Sequence, residues 1–279
     1  MIKTININDG EIENLYQYLS AAVTPRPIAL VSTVDSNGNK NLSPFSFFNV
    51  FSVIPPILVF SPVRRMRNNT SKDTLNNLLQ IKECVISLVT KKIAQQVSLS
   101  SCDFDANTNE FIKAGFNEVK SELVKPSRIK ESPINFECKI NNIISLGEKG
   151  GAGTLVICEI LKMHIEESVL DKNNQIDPFK LDIVSRLGSS WYGKTTNDAL
   201  YKITKPISKI GMGFDKLPKE IRNSKILTGN ELAILASAEH IPEKVKFKPR
   251  DNKNITEKHI LAKEFLSQEK INDAWQILL

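Results

Sequence analysis

Apolar and polar residues along the chain switch between a period of two and a period near 3.6, and the switches mark out the elements. Residues 28–34 and 42–48 are β-rich runs on either side of Asp35-Ser-Asn-Gly-Asn39. An Asn-Gly pair between two such runs predicts a hairpin. Residues 57–61, entered through Pro55-Pro56, and residues 83–89 predict two more strands. The longest β signal has Phe136, Cys138 and Ile140 alternating with Glu137 and Lys139, and it resumes over 155–165 after the glycine-rich loop 147–153. Helical spacing appears over 10–22, where Asp9, Glu11 and Glu13 sit near the positive end of the dipole. It appears again over 72–81, with Leu75, Leu78 and Leu79 on one face and Ser71, Asp73 or Thr74 as caps. Residues 91–99 carry a short helical pattern, and the polar stretch 102–126 carries a brief one at 110–114. Beyond Gly211 the pattern is helical, over 228–238 and in one further helix over 256–279. Six or seven strands joined mostly by hairpins predict a mainly β chain built on an antiparallel barrel with a helical appendix, rather than repeated βαβ units.

Composition narrows the class. The chain has 279 residues, 41% hydrophobic and 24% charged, which suits a folded globular protein and excludes a disordered or collagen-like one. The best apolar run, 53–63, is short and broken by two prolines, so no spanning helix is expected. The first residues lack a signal-peptide pattern, and the expected location is the cytoplasm. Four cysteines without a C-x-x-C pair read as buried free thiols, and the three scattered histidines offer no metal-site spacing. The net charge is +6, of which +5 falls after residue 200, from 15 Lys/Arg against 10 Asp/Glu. The densest basic piece, 244–250, fits a solvated edge or loop as well as a phosphate-tracking groove, and no nucleic-acid partner is expected.

The glycine loop 147–153 joins two strands, whereas a dinucleotide fingerprint needs a helix after the glycines. Neither a P-loop nor a G-x-S-x-G elbow is present. The more informative cluster follows the strand ending at Ser61. Arg64, Arg65 and Arg67, then Lys72-Asp73-Thr74 at a helix start, bring positive charge, hydroxyls and a favourable dipole together, which suits a phosphate or, equally, a solvated basic loop.

The runs Pro25-Arg-Pro-Ile-Ala-Leu-Val-Ser-Thr33, Asn41-Leu-Ser-Pro-Phe-Ser-Phe-Phe-Asn49, Pro55-Pro-Ile-Leu-Val-Phe-Ser-Pro62 and Lys72-Asp-Thr-Leu75 resemble the flavin reductase-like, FMN-binding split-barrel family. Arg186-Leu-Gly-Ser-Ser-Trp-Tyr192 is similar to the R-L-G-G-x-x-Y element of its flavoprotein oxygenase branch, with Ser189 in place of the second glycine. The resemblance covers about residues 24–192. It implies a six-stranded antiparallel split β-barrel over residues 1–205, followed by a helical C-terminal extension over 206–279. It also implies a homodimer with FMN bound near the subunit interface, hydride from NADH or NADPH, and a small acceptor, free flavin or a partner oxygenase as recipient.

By the same resemblance Ser46, Phe47, Phe48 and Asn49 lie along the isoalloxazine, with one of the two phenylalanines turned into the core because strand neighbours face opposite sides. Ser61, Arg65, Lys72, Asp73 and Thr74 are the candidates for phosphate and ribityl contacts, with Asp73 as a helix cap or on a ribityl hydroxyl. Arg26 and Arg186 face the flavin or a nicotinamide phosphate, or else form structural ion pairs. No catalytic side chain is expected, since the cofactor carries the hydride chemistry. The alternative is a flavin-binding barrel without catalysis, acting in electron transfer or as an interaction module.

Overall fold

The computed structural model describes residues 1–7, 14–105, 108–203, 210–244 and 253–279. They fall into two compact units, Met1–Leu200 and Tyr201–Leu279. The first opens with α1 (Leu15–Ala22), β1 (Arg26–Pro27), β2 (Ala29–Val34), β3 (Lys40–Phe45), β4 (Phe48–Ser52) and β5 (Ile57–Phe60). Then come α2 (Asp73–Gln80), β6 (Glu83–Leu88), α3 (Ala94–Leu99), α4 (Glu110–Ala114), β7 (Glu118–Val119) and β8 (Arg128–Ile129). The long hairpin β9 (Ile134–Ser145) and β10 (Thr154–Ile165) precedes β11 (Val184–Arg186) and β12 (Tyr192–Lys194). The start of the helix expected over 10–22, with Asp9, Glu11 and Glu13, lies outside the described residues, as does 245–250 of the basic piece.

Seven strands make one antiparallel sheet in the order β3-β2-β6-β9-β10-β5-β4. Its two edge strands, β3 and β4, are consecutive in sequence and separated only by Ser46 and Phe47. Three peptide steps span at most about 10 Å. The sheet is therefore rolled until its opposite edges meet at this corner, where the Phe45 and Phe60 rings lie 5.2 Å apart. This corrects the expected count of six. The run 42–48 is not one strand, because it leaves the β2 ladder at Phe45 and joins β5 at Phe48, and no ladder closes β3 onto β4 among the described residues.

Alternation explains why β2 is buried along its whole length. Ala29 and Val31 enter a core inside the rolled sheet with Phe60, Ile86, Cys138 and Val156, while Ile28 and Leu30 pack outward with Leu42, Val97 and Phe111 beneath α3 and α4. The β2–β3 turn is held by Asp35, whose carboxylate accepts from the Asn37 and Asn39 amides at 2.9 and 2.8 Å, and by Gly38 at φ 85°. Cys84, Cys138 and Cys158 are buried free thiols in that inner core, and Cys102 is exposed. Helix α2 buries Leu75 and Leu78, but Leu79 is 57% exposed, so the expected three-leucine face is two leucines wide.

The second unit holds α5 (Lys219–Arg222), α6 (Gly229–Ala236), α7 (Ile255–Ser267) and α8 (Ile271–Leu278) around its own core, centred on Leu235, Ala262 and Trp275. Thr228 with Glu231 and Asn254 with Glu257 form capping boxes at the starts of α6 and α7. The single helix expected over 256–279 is two, broken where Glu269 adopts φ 60°. No helix among the described residues is long and apolar enough to cross a membrane.

Candidate functional site

Two cationic clusters form on the first unit, and the residues singled out from the sequence divide between them. The first lies at the corner where the rolled sheet meets itself. The β1–β11 ladder places Arg26 opposite Arg186. Arg26 is buried, and its guanidinium donates to the carbonyls of Ser20 and of Val23 (2.8 Å), the free carbonyl end of α1. A helix C-terminus carries partial negative charge, which suits a cation there. Its Nε lies 3.4 Å from Ser46 Oγ, and the Phe47 ring lies 5.8 Å from the guanidinium. Arg186 stacks on the Tyr192 ring at 4.5 Å and donates to the Ser189 carbonyl. Ser189 itself has φ 44°, the left-handed region that favours glycine, which is the conformational reason a glycine suits that position.

Phe47 is 37% exposed beside Arg26, while Phe48 packs on the inner core. Ser61 ties this corner to the basic loop, because its amide donates to the Phe47 carbonyl at 2.8 Å. Asn49 stands apart on exposed β4, its Oδ1 accepting from the Val50 amide.

The second cluster grows from the segment after β5. Backbone hydrogen bonds from Arg64 to the Ala152 carbonyl (2.9 Å), from Gly151 to the Arg64 carbonyl (3.1 Å) and from Arg65 to the Thr70 carbonyl (2.9 Å) hold this loop against the β9–β10 turn. The glycines of that turn serve packing: a Cβ on Gly150 would come within 3.1 Å of the Met66 backbone. The loop so fixed directs Arg65, Arg67 and Lys72 onto one carboxylate. Asp103 meets Arg65 Nε at 3.1 Å, an Arg67 nitrogen at 2.9 Å and Lys72 Nζ at 3.3 Å. The Arg65 hydrogen bond, with Lys72 beside it, holds the Asp103 carboxyl below the usual carboxylate range.

Lys72 is the N-cap of α2, with no side-chain cap bond, so none of Ser71, Asp73 and Thr74 caps that helix. Asp73 is instead the first helical residue, 3.5 Å from Arg65. Thr74 is buried, and its hydroxyl donates to Asn41 Oδ1 at 2.7 Å. Asn41 Nδ2 in turn donates to Glu110 at 3.0 Å, whose second oxygen accepts from the Leu42 amide at 2.9 Å. Burial pushes the Glu110 carboxyl up. This chain ties α2 and α4 to β3 and makes the wall of a crevice whose other lining includes Ser43, Ser100 and Ser101.

Asp103 and Glu110 were not visible as site residues from the sequence. Asp103 lies 31 positions beyond Lys72 in an irregular stretch with no periodicity, and Glu110 looks like an ordinary first-turn acid. Nothing in either local pattern points to β3.

The surroundings of these clusters match known proteins. The chain is 34% identical over 197 residues to an uncharacterised protein of Aquifex aeolicus, covering 71% of this chain and 98% of that one. In structure it resembles nitrilotriacetate monooxygenase component B from Bacillus cereus, with TM-score 0.67 at 26% identity over 73% of this chain and 99% of the other. It also resembles 2-nitrobenzoate 2-nitroreductase from Pseudomonas fluorescens, with TM-score 0.66 at 28% identity over 76% and 100%. The flavin reductase like domain profile matches residues 21–179, a span that holds the rolled sheet, the basic loop and Arg26. A chain matched over that much of its length, by the segments that shape its charged corner and crevice, belongs to the flavin reductase-like family.

Proposed function

We propose that the chain is an FMN-dependent oxidoreductase that accepts hydride from NADH or NADPH and passes electrons to a small acceptor, to free flavin or to a partner oxygenase. The observation that carries this reading is the spacing of the two clusters. Ser43 in the crevice and Ser46 at the corner are three residues apart in the chain, which turns at Ser46, and so lie at most about 10 Å from one another. A ligand with a phosphate at one end and a flat ring at the other spans such a distance. The donor set fits: Arg65 and Lys72 with Ser43, Ser100 and Ser101 would hold the phosphate, and Phe47 with Ser46 would border the ring. The flavin, when bound, supplies hydride acceptance. The protein's part is to place it, to neutralise the phosphate, and to border the ring with an apolar face.

Arg26 belongs in this reading to the support of the corner, since its donors already serve α1. Ser61 holds the corner to the basic loop through its backbone, and Asp73 positions Arg65. The barrel unit, taken as residues 1–205, would carry the flavin, with 206–279 as the helical extension. The homodimer is supported by the edge hairpin β4–β5, which exposes Phe51, Val53 and Ile54 at 68%, 80% and 92%. A partner oxygenase is in keeping with the name of the Bacillus cereus protein. A cytoplasmic location is in keeping with the free thiols.

Anaerobic titration of the FMN-loaded chain with NADH and with NADPH tests the reading. Bleaching of the flavin by either is the expected result. Retention of FMN without bleaching would leave the non-catalytic electron-transfer or interaction module, and a chain that takes up no FMN would remove both.

A further inference from the structure

A cavity of about 430 Å³ opens beside Arg186, between the β11–β12 pair and the turn Lys91–Ile93 that leads into α3. That volume lies within the range of small-molecule sites. Three cations line it, Lys91, Arg186 and Lys194, and no acid is among its lining residues. Lys194 reaches Asp182 at 3.3 Å, and Arg186 gives one of its donors to the Ser189 carbonyl. No partner of the Lys91 ammonium is recorded among the described residues. Ser98, Ser189 and Ser190 add neutral donors to the lining.

The rest of the lining is mixed, with Gln95 and Tyr192 beside Ala94 and Val184. Ala94 and Val184 contribute small faces, and Gly193 contributes none. Like charges facing one concavity repel, and a bound oxyanion relieves the repulsion while accepting the hydroxyl donors.

We propose that this cavity is an oxyanion subsite that holds a compact organic carboxylate, its head on Lys91 and Arg186 and its apolar body against Ala94 and Val184. Binding there does not require the flavin. The assignment of the bound acid as a second substrate does, and to that extent it rests on the function proposed above. The same oxyanion chemistry could come from the phosphate of a nucleotide, and the apolar faces of Ala94 and Val184 favour the carboxylic acid.

Calorimetric titration of the full chain loaded with FMN, using benzoate, benzamide and inorganic phosphate as probes, decides it. Benzoate is expected to bind at least tenfold tighter than its neutral isostere benzamide, and tighter than phosphate. Lys91→Met should weaken benzoate about tenfold and Lys91→Arg restore it, with the FMN content of each variant, read from visible absorbance, unchanged. Equal affinities for benzoate and benzamide, absence of benzoate binding, or indifference to Lys91→Met would overturn the subsite. Tighter binding of phosphate than benzoate would overturn the carboxylate assignment. If the chain takes up no FMN, the flavin reading fails, and the same titration on the flavin-free chain still decides the subsite.

Discussion

The two cationic clusters are built from the same kinds of side chain and differ in what neutralises them. At the corner, Arg26 is buried and donates to backbone carbonyls at the end of α1, which no intrahelical donor reaches. In the crevice, Arg67 and Lys72 meet the side-chain carboxylate of Asp103, which is about one-third exposed, and Arg65 divides its donors between that carboxylate and the Ser71 carbonyl. Carbonyls at a helix end are part of the architecture, whereas a carboxylate on a loop can be exchanged for another anion. A cation held by backbone supports the fold, and a cation held by an exposed acid is available to a ligand.

The largest effect that would sharpen this contrast is on stability. Arg26→Ala strips charged hydrogen bonds worth about 1.5–3 kcal/mol each from the carbonyls at the end of α1. It is expected to lower the melting temperature by about 6–12 °C, whereas Lys72→Ala should leave it nearly unchanged; equal losses by differential scanning calorimetry would erase the distinction. Next in size is ligand affinity. Lys72→Ala should weaken FMN about ten- to hundredfold, while riboflavin, lacking the phosphate, should lose much less. Equal losses for the two ligands in fluorescence titrations would take Lys72 out of the phosphate site.

A smaller effect tests the exchange itself. Asp103→Asn removes the competing charge and should tighten FMN about two- to fivefold, the scale of exposed ion pairs, with no gain for riboflavin. Weaker FMN binding in that variant would mean that Asp103 orients the cations rather than competing for them. An effect of similar size returns to the corner. Ser189→Gly relieves a left-handed residue and should add about 0.5–1 kcal/mol of stability. A loss of stability in chemical denaturation would show that the Ser189 side chain contributes more to the Arg186 turn than its backbone costs.

The fold was legible where a regular period or a turn motif marks an element. The β2–β3 hairpin, the β9–β10 hairpin and even the five-residue α4 follow from alternation, turn chemistry or helical spacing. What was not legible depends on distant partners. The strands β1, β11 and β12 have two or three residues each and exist because Arg26, Arg186 and Tyr192 find one another across the fold. The break between α7 and α8 rests on one residue, Glu269, that carries no turn signature.

Among the site residues, the grouping of Arg65 with Lys72 is legible because both flank one loop, and the split of Phe47 from Phe48 follows from strand geometry. Their common carboxylate is not, since nothing in residues 100–105 announces that it folds back over α2. The place of Lys72 at the N-cap was likewise hidden, because lysine has no acceptor to offer a helix start.

The two-residue joint between β3 and β4 makes chain length at that corner an invariant. One residue added between Ser46 and Phe47 would have to be absorbed either as a bulge or as a one-step slip of β4 along β5. A slip would exchange the faces of the whole strand, turning Phe48 from the core to the outside and Asn49 from the outside to the core. Substitution leaves the register of this corner intact, whereas insertion and deletion do not, so among related chains its spacing should hold even where its sequence drifts.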